Sequence, residues 1–325
     1  MAGVRIRNRP VPRADAIIAA GLVSLERQRL YAIIQTFLSA HVRGREDLVK
    51  RRKAGGCMKV RAWVVLLMVA GSACTRVPAP GDQRWPTGTL VDLSHEYSAE
   101  TVFWPTAETF RLEKVADGVT PLGYYYAANN FATSEHGGTH IDAPVHFAKG
   151  HRSVEQIPLD QLVGEAMVVD VTAASASQPD YRVTIDDFTA WERTNGELPA
   201  ASIVLIRTGY SRFWPDAARY LGTAERGEAA VAKLHFPGLH PDAAKWLAET
   251  RRVKAVGLDT ASIDYGQSTM YETHRILYER DVPAFENLAS LDRLPPRGAF
   301  IVALPMKIKG GTGAPLRAMA IVPNG

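Results

Sequence analysis

Between Ser134 and Phe147 the chain reads Ser134-Glu135-His136-Gly137-Gly138-Thr139-His140-Ile141-Asp142-Ala143-Pro144-Val145-His146-Phe147, placing three of its nine histidines and an aspartate within eleven positions. Imidazole nitrogens and a carboxylate oxygen are the donors that hold a divalent ion, at about 2.0 to 2.2 Å, with an open position for water when the site is catalytic. His136, His140 and Asp142 supply such a set. An ion held there lowers the pKa of bound water from roughly 15.7 to about 7 and polarises a carbonyl oxygen. His146 beside it is a proton carrier suited to neutral pH. Fully extended, the segment would hold His136 and His146 about 33 Å apart at roughly 3.3 Å per residue. The chain must therefore fold back, which Gly137, Gly138 and Pro144 permit.

Competing chemistries lack their motifs. A serine hydrolase of the nucleophile-elbow kind needs Gly-x-Ser-x-Gly. Both Gly209-Tyr210-Ser211-Arg212-Phe213 and Gly266-Gln267-Ser268-Thr269-Met270 lack the last glycine. Gly311-Thr312-Gly313 is no dinucleotide fingerprint, because Pro315 follows and no helix opens there; it is expected to be a turn. Cys57 and Cys74 are the only cysteines. The chain after Cys74 therefore has neither a disulfide framework nor a Cys-rich zinc site, and a metal there must use His, Asp or Glu.

The elements that must position these residues follow from hydrophobic patterning. With 325 residues, 46% hydrophobic and 22% charged, the chain has the composition of a globular protein. Short β-branched runs at Leu90–Leu93, Ala166–Val171, Ser202–Arg207, Val253–Leu258, Phe300–Leu304 and Ala318–Val322 predict strands. Helices are predicted at Ile185–Thr194, Pro241–Thr250 and Thr269–Glu279, the second with proline near its start. Alternation of the two gives an α/β fold. No internal repeat and no compositional break after Pro86 divides the remainder, so 88–325 reads as one catalytic domain.

The net charge of +4 is unevenly distributed. Residues 1–57 hold twelve Lys or Arg against four Asp or Glu, leaving the rest of the chain at −4, so a basic nucleic-acid face is not a property of the folded body. Residues 58–74 join a basic start, an apolar run from Ala62 to Ala70 and small residues before Cys74, the pattern of a secretory signal. The run of about nine residues is half of what a membrane span needs. Natural translation is expected to start at Met58, with 1–57 an upstream artefact or an unstructured basic arm. The residues before Cys74 resemble a lipoprotein cleavage site, although Gly71 stands where such signals have leucine, so plain cleavage after Ala73 stays open. Residues 75–87 read as a linker. The expected location is outside the cytoplasm, periplasmic or lipid-anchored in a bacterial envelope.

The segment His136 to Phe147 resembles the signature of the bacterial cyclase family of metal-dependent hydrolases, which includes kynurenine formamidase and isatin hydrolase. Further resemblance lies at Asp92-Leu93-Ser94, Phe103-Trp104-Pro105, Thr208-Gly209-Tyr210, Phe236-Pro237-Gly238-Leu239, Gly257 to Asp264, His274 with Glu286-Asn287-Leu288, and Gly310 to Arg317, covering about 88–322. The resemblance implies that His136, His140 and Asp142 bind a first metal, that His274 and Glu286 complete a two-metal site, and that His146 is the catalytic acid/base. It implies a swivelling β/β/α arrangement with mixed sheets, one or two zinc or manganese ions, and a homodimer or homotetramer. Trp104 and Phe147 are the implied substrate contacts; Pro105 is followed by Thr106 and Ala107, where the formamidases have Gly-Asp, which leaves the substrate open. The implied reaction is attack of metal-bound hydroxide on a small amide, N-formyl or lactam carbonyl. Asp259, Asp264 and Gln267 read as structural supports. The competing reading is an exported metal- or ligand-binding lipoprotein without catalysis, against which His146 speaks, since binding alone does not require it.

Overall fold

Ile203, Val204, Leu205 and Ile206 are consecutive and all buried, as in a parallel strand covered on both faces. They lie at the centre of a computed structural model that describes residues 86–324. The expected signal at 58–74, the start at Met58, the lipid on Cys74 and the arm 1–57 lie outside the described residues, as does most of the 75–87 linker. Among the described residues no helix is long and apolar enough to cross a membrane.

The strands are β1 Thr89–Asp92, β2 Arg111–Val119, β3 Tyr125–Ala132, β4 His140–Asp142, β5 Val163–Asp170, β6 Arg182–Val183, β7 Ile203–Arg207, β8 Gly238–Leu239, β9 Ala255–Leu258, β10 Ala284–Glu286, β11 Ala299–Pro305 and β12 Gly313–Val322. Eight form one mixed sheet in the order β1-β12-β11-β5-β7-β9-β10-β4, and β4 also pairs with β12, which closes a barrel-like ring. The run β5-β7-β9-β10 is parallel, and the remaining pairings are antiparallel.

Alternation along the parallel strands builds two cores. Ala166, Val168, Ile203 and Leu205 point to one, with Ile141, Phe285 and Ile301. Met167, Val169, Val204 and Ile206 point to the other, where Phe188, Leu247 and Leu277 cover the sheet. The covering helices are Ile185–Asn195, Pro241–Trp246 and Glu272–Tyr278. The first starts where expected and runs one residue past its expected end. Thr184 and Asp187 form a capping box at its start, and Gly196 ends it at φ 84°. The second is shorter than expected, because Leu247–Arg251 widens into a π turn ending at Arg252 with φ 52°. The third begins three residues later than expected, after Tyr271 at φ 47°.

Candidate metal centre

Three neighbouring strands bring the site together. In the β4–β10 register His140 faces Glu286 and Asp142 faces Ala284; in the β4–β12 register Asp142 faces Gly313 and His140 faces Pro315. His140 and Glu286, far apart in sequence, thus become cross-strand neighbours. Gly138 at φ 59° turns the chain between His136 and β4, a conformation that favours glycine. A short 3-10 turn, Pro144–His146, carries His146 back toward Asp142. His274 comes from the Glu272–Tyr278 helix and is buried there.

His136 Nδ1 lies 2.6 Å from Asp142 Oδ1, and His140 Nε2 lies 3.2 Å from the same oxygen and 3.4 Å from Glu286 Oε2. His274 Nε2 is 3.4 Å from Asp142 Oδ2 and 3.5 Å from Glu286 Oε1. His146 Nε2 is 4.0 Å from Asp142 Oδ2, and its ring stacks on that of His136 at 3.9 Å. The six residues named from the sequence as ligands or proton carrier therefore surround one point.

The hydrogen bonds on the far side of each ring decide what faces the centre. His140 Nδ1 donates to the Gly138 carbonyl at 3.0 Å, and His274 Nδ1 donates to Asp264 at 2.5 Å. Thr312 Oγ1 donates to Glu135 at 2.6 Å and so accepts from His136 Nε2 at 2.9 Å. With those protons assigned, three lone pairs converge on two carboxylates. His140 Nε2 is buried without a hydrogen-bond partner. Acceptors gathered this closely need positive charge between them, and this donor set fits a divalent ion. Among the described residues two groups meet the spacing, His136 with Asp142 and His146, and His140 with Asp142 and Glu286. Asp142 belongs to both, and His146, expected as proton carrier, is itself a member of the first.

The proton affinities express the same demand. Burial pushes the Glu286 carboxyl up, and the neighbouring Asp142 charge adds to it. Burial would raise Asp142 too, but His136 and His146 hold it well below the usual carboxylate range. Burial opposes charge on His274, yet hydrogen bonds with Asp142, Asp264 and Glu286 hold it well above the ordinary histidine value. Burial takes His146 down to about 4 against the pull of Asp142, so that ring is neutral at pH 7.

Above the centre lies a cavity of about 350 Å³ walled by Val102, Phe103, Trp104, Phe147 and Tyr271. Trp104 and Phe147 both line it, as named from the sequence, while Phe103 and Tyr271 were not anticipated. Among the described residues lining it there is no Lys or Arg.

The supporting groups were less visible in the sequence. Tyr278 donates to Asp142 Oδ2 at 2.8 Å, and Asn287 Nδ2 donates to the Gly138 carbonyl at 2.7 Å. Asp264 supports His274, as expected of it, and Asp259 accepts from Thr208 and Gly209 away from the centre. Gln267 donates to the Leu234 carbonyl and serves the framework. The Gly311-Thr312-Gly313 segment is more than a turn, since Thr312 holds His136 and Gly313 opens β12.

The cyclase family model matches residues 91–265, more than half of the chain. The chain belongs to the cyclase family. An isatin hydrolase from Roseibium aggregatum is 34% identical over 210 residues, which cover 62% of this chain and 77% of the relative. A kynurenine formamidase from Salinibacter ruber is 30% identical over 240 residues, 71% of this chain and 96% of the relative. The solved structure of isatin hydrolase A from Ralstonia solanacearum matches with a TM-score of 0.65 at 35% identity, covering 72% of this chain and 92% of that one. This cyclase-family chain is a hydrolase with a mixed α/β fold and candidate metal-binding groups.

Proposed function

We propose that the chain hydrolyses the carbonyl–nitrogen bond of a small, neutral, planar amide, N-formyl or lactam substrate in a reaction that depends on a divalent ion. One observation carries the reading: three imidazole lone pairs and two buried carboxylates converge on the floor of an aromatic pocket. His136, His140, Asp142, His274 and Glu286 would hold zinc or manganese, as one ion or two, with Asp142 shared. When bound, such an ion supplies Lewis acidity toward a carbonyl oxygen and raises the acidity of water. Phe103, Trp104, Phe147 and Tyr271 grip a flat ring and exclude bulk water. His146, neutral at pH 7, accepts a proton at Nε2 as water adds to the carbonyl carbon. It returns that proton to the nitrogen as the C–N bond breaks, leaving a carboxylic acid and an amine. Asp142, 4.0 Å away, stabilises the imidazolium between the two transfers.

The cavity is at the small end of ligand sites, which run from about 300 to 1,000 Å³. A substrate bearing an ammonium and a carboxylate would bury its carboxylate without a cationic partner, at a cost of several kcal/mol. A neutral lactam or formanilide avoids that cost. The test is turnover of isatin, N-formyl anilines, small lactams and a zwitterionic N-formyl aryl amino acid, each with Zn²⁺ or Mn²⁺. The neutral substrates should exceed the zwitterion by at least about 10-fold in kcat/KM. Full activity after chelation overturns the reading. Tight ion binding with no turnover across the panel supports a binding lipoprotein instead.

The finer organisation follows the same reading: a catalytic domain at 88–325 with swivelling β/β/α layers, an export signal at 58–74 and a lipid on Cys74. Fractionation of the native protein and the mass of its mature N-terminus test the export half.

A further inference from the structure

The turn 103–107 is one wall of the pocket, since Phe103, Trp104 and Ala107 line it. Its inner end is registered on the histidine loop. Phe103 forms an isolated antiparallel bridge with Gly137, and the Gly138 N–H donates to the Val102 carbonyl at 3.2 Å. A Cβ on Gly137 would run into the Phe103 ring, so that ring lies directly on the backbone beside His136. Residues 226 and 227 hold the rest of the turn. The Gly227 N–H donates to the Pro105 carbonyl at 2.9 Å, Arg226 Nη1 donates to the Phe103 carbonyl at 3.3 Å, and Arg226 Nη2 donates to the Ala107 carbonyl. One guanidinium thus bridges both ends of the turn, a task that suits a planar fork of donors and not a point charge. Arg226 does not line the pocket itself.

Against this wall lies a second cavity of about 150 Å³, a volume that holds one benzene ring. Val102 and Phe103 line both cavities and are only 5% and 3% exposed, so these two side chains are the partition. Ala217 and Leu221 give the second cavity apolar walls, and Arg226 lines it as well. Room for a further ring is thus present beside the pocket but closed off from it. We propose that Arg226 is a positioning residue that sets the size of substrate this chain accepts. By clasping the turn 103–107 it holds Phe103 in place as the partition, and release of the clasp joins the second cavity to the pocket. The ligand class gained is a neutral aromatic carbonyl compound longer by one apolar ring. The consequence for substrates rests on the hydrolase reading, whereas the clasp does not.

The test uses the full chain loaded with Zn²⁺ and two ketones, acetophenone and para-acetylbiphenyl. Neither has a C–N bond to break, so calorimetry gives the ratio of their Kd values whether or not the chain has turnover. Arg226→Ala should shift that ratio toward the biphenyl by about 10-fold, as expected for loss of hydrogen bonds from a charged donor. Arg226→Lys should behave like Arg226→Ala, since one ammonium does not bridge both carbonyls. Phe103→Ala, which removes the partition itself, should shift the ratio at least as far, with circular dichroism as the check on its fold. In Arg226→Ala, amide exchange over residues 102–108 should rise about 10-fold, while Zn²⁺ affinity, read by chelator competition, stays within about twofold. A folded Arg226→Ala protein with the wild-type ratio overturns the proposal, as does an Arg226→Lys protein that keeps it. Equal weakening of both ketones together with Zn²⁺ shows a general loosening and overturns it too. Absence of turnover in the wild type strikes the hydrolase reading, and the ketone ratio still decides the clasp.

Discussion

Asp264→Asn isolates one support of the centre. Asp264 Oδ2 accepts from His274 Nδ1 at 2.5 Å and from the His274 backbone N–H at 3.2 Å, while Oδ1 accepts from Ser268 Oγ at 3.0 Å and the Thr273 N–H at 3.3 Å. An amide in place of the carboxylate keeps one oxygen. If that oxygen stays with Ser268 and Thr273, the new NH₂ confronts His274 and drives the ring proton from Nδ1 to Nε2. Nε2 then carries hydrogen toward Asp142 Oδ2 and Glu286 Oε1, where a lone pair is needed. A hydrogen bond to a charged group contributes about 1.5 to 3 kcal/mol, which at roughly 1.4 kcal/mol per decade is about 10- to 150-fold in ion affinity. Outer partners of metal-binding histidines have effects of about 10- to 100-fold, which agrees. Competition titration with a fluorescent chelator, for Zn²⁺ and Mn²⁺, measures the change, and circular dichroism checks the fold. A folded Asp264→Asn protein that binds both ions within about twofold of wild type would refute the tautomer argument.

Three further outcomes follow from other contacts. His140→Ala removes the buried Nε2 without a hydrogen-bond partner and should abolish both ion content, read by elemental analysis, and turnover. Gly313→Ala places a Cβ 2.6 Å from His136 Cε1 and 2.6 Å from the Ile141 carbonyl oxygen; since backbone cannot yield, about 1 to 3 kcal/mol of stability is lost, visible in thermal melts, with turnover reduced. Glu192→Gln breaks the Arg251 pair at 2.6 and 2.8 Å. Arg251 lowers the Glu192 pKa in the folded state, so the pair's stabilisation is present above the unfolded carboxylate value near 4.3 and is lost as pH falls through the depressed folded value. The variant should melt about 2 to 4 °C lower at pH 7, for about 1 kcal/mol, with the gap closing at acid pH.

The parallel half of the sheet was legible because its strands are buried on both faces and read as unbroken apolar runs, Ile203 to Ile206 above all. The hairpin was not legible. Its strands Arg111–Val119 and Tyr125–Ala132 mix charged, small and aromatic residues with neither clean alternation nor a continuous apolar run, because neither face packs on a core. The strands β4 and β10 are three residues each, too short for any periodicity to declare them, yet they carry His140, Asp142 and Glu286.

The site divides along the same physical line. His136, His140, Asp142 and His146 announce themselves because their donors are dense along the chain. His274 and Glu286 are common residue types, and what makes them candidate ligands is burial to 4% and 3% exposure beside Asp142, a property of packing between distant segments. Tyr278 and Thr312 are further removed, since each acts through one hydrogen bond across more than 130 residues. Burial is also what gives the cluster its chemistry. The same residues in water would ionise at ordinary values, whereas here the Glu286 carboxyl is pushed up and His146 is held neutral. Sequence density therefore locates such a centre, but the strands and helix that desolvate it decide whether it demands an ion.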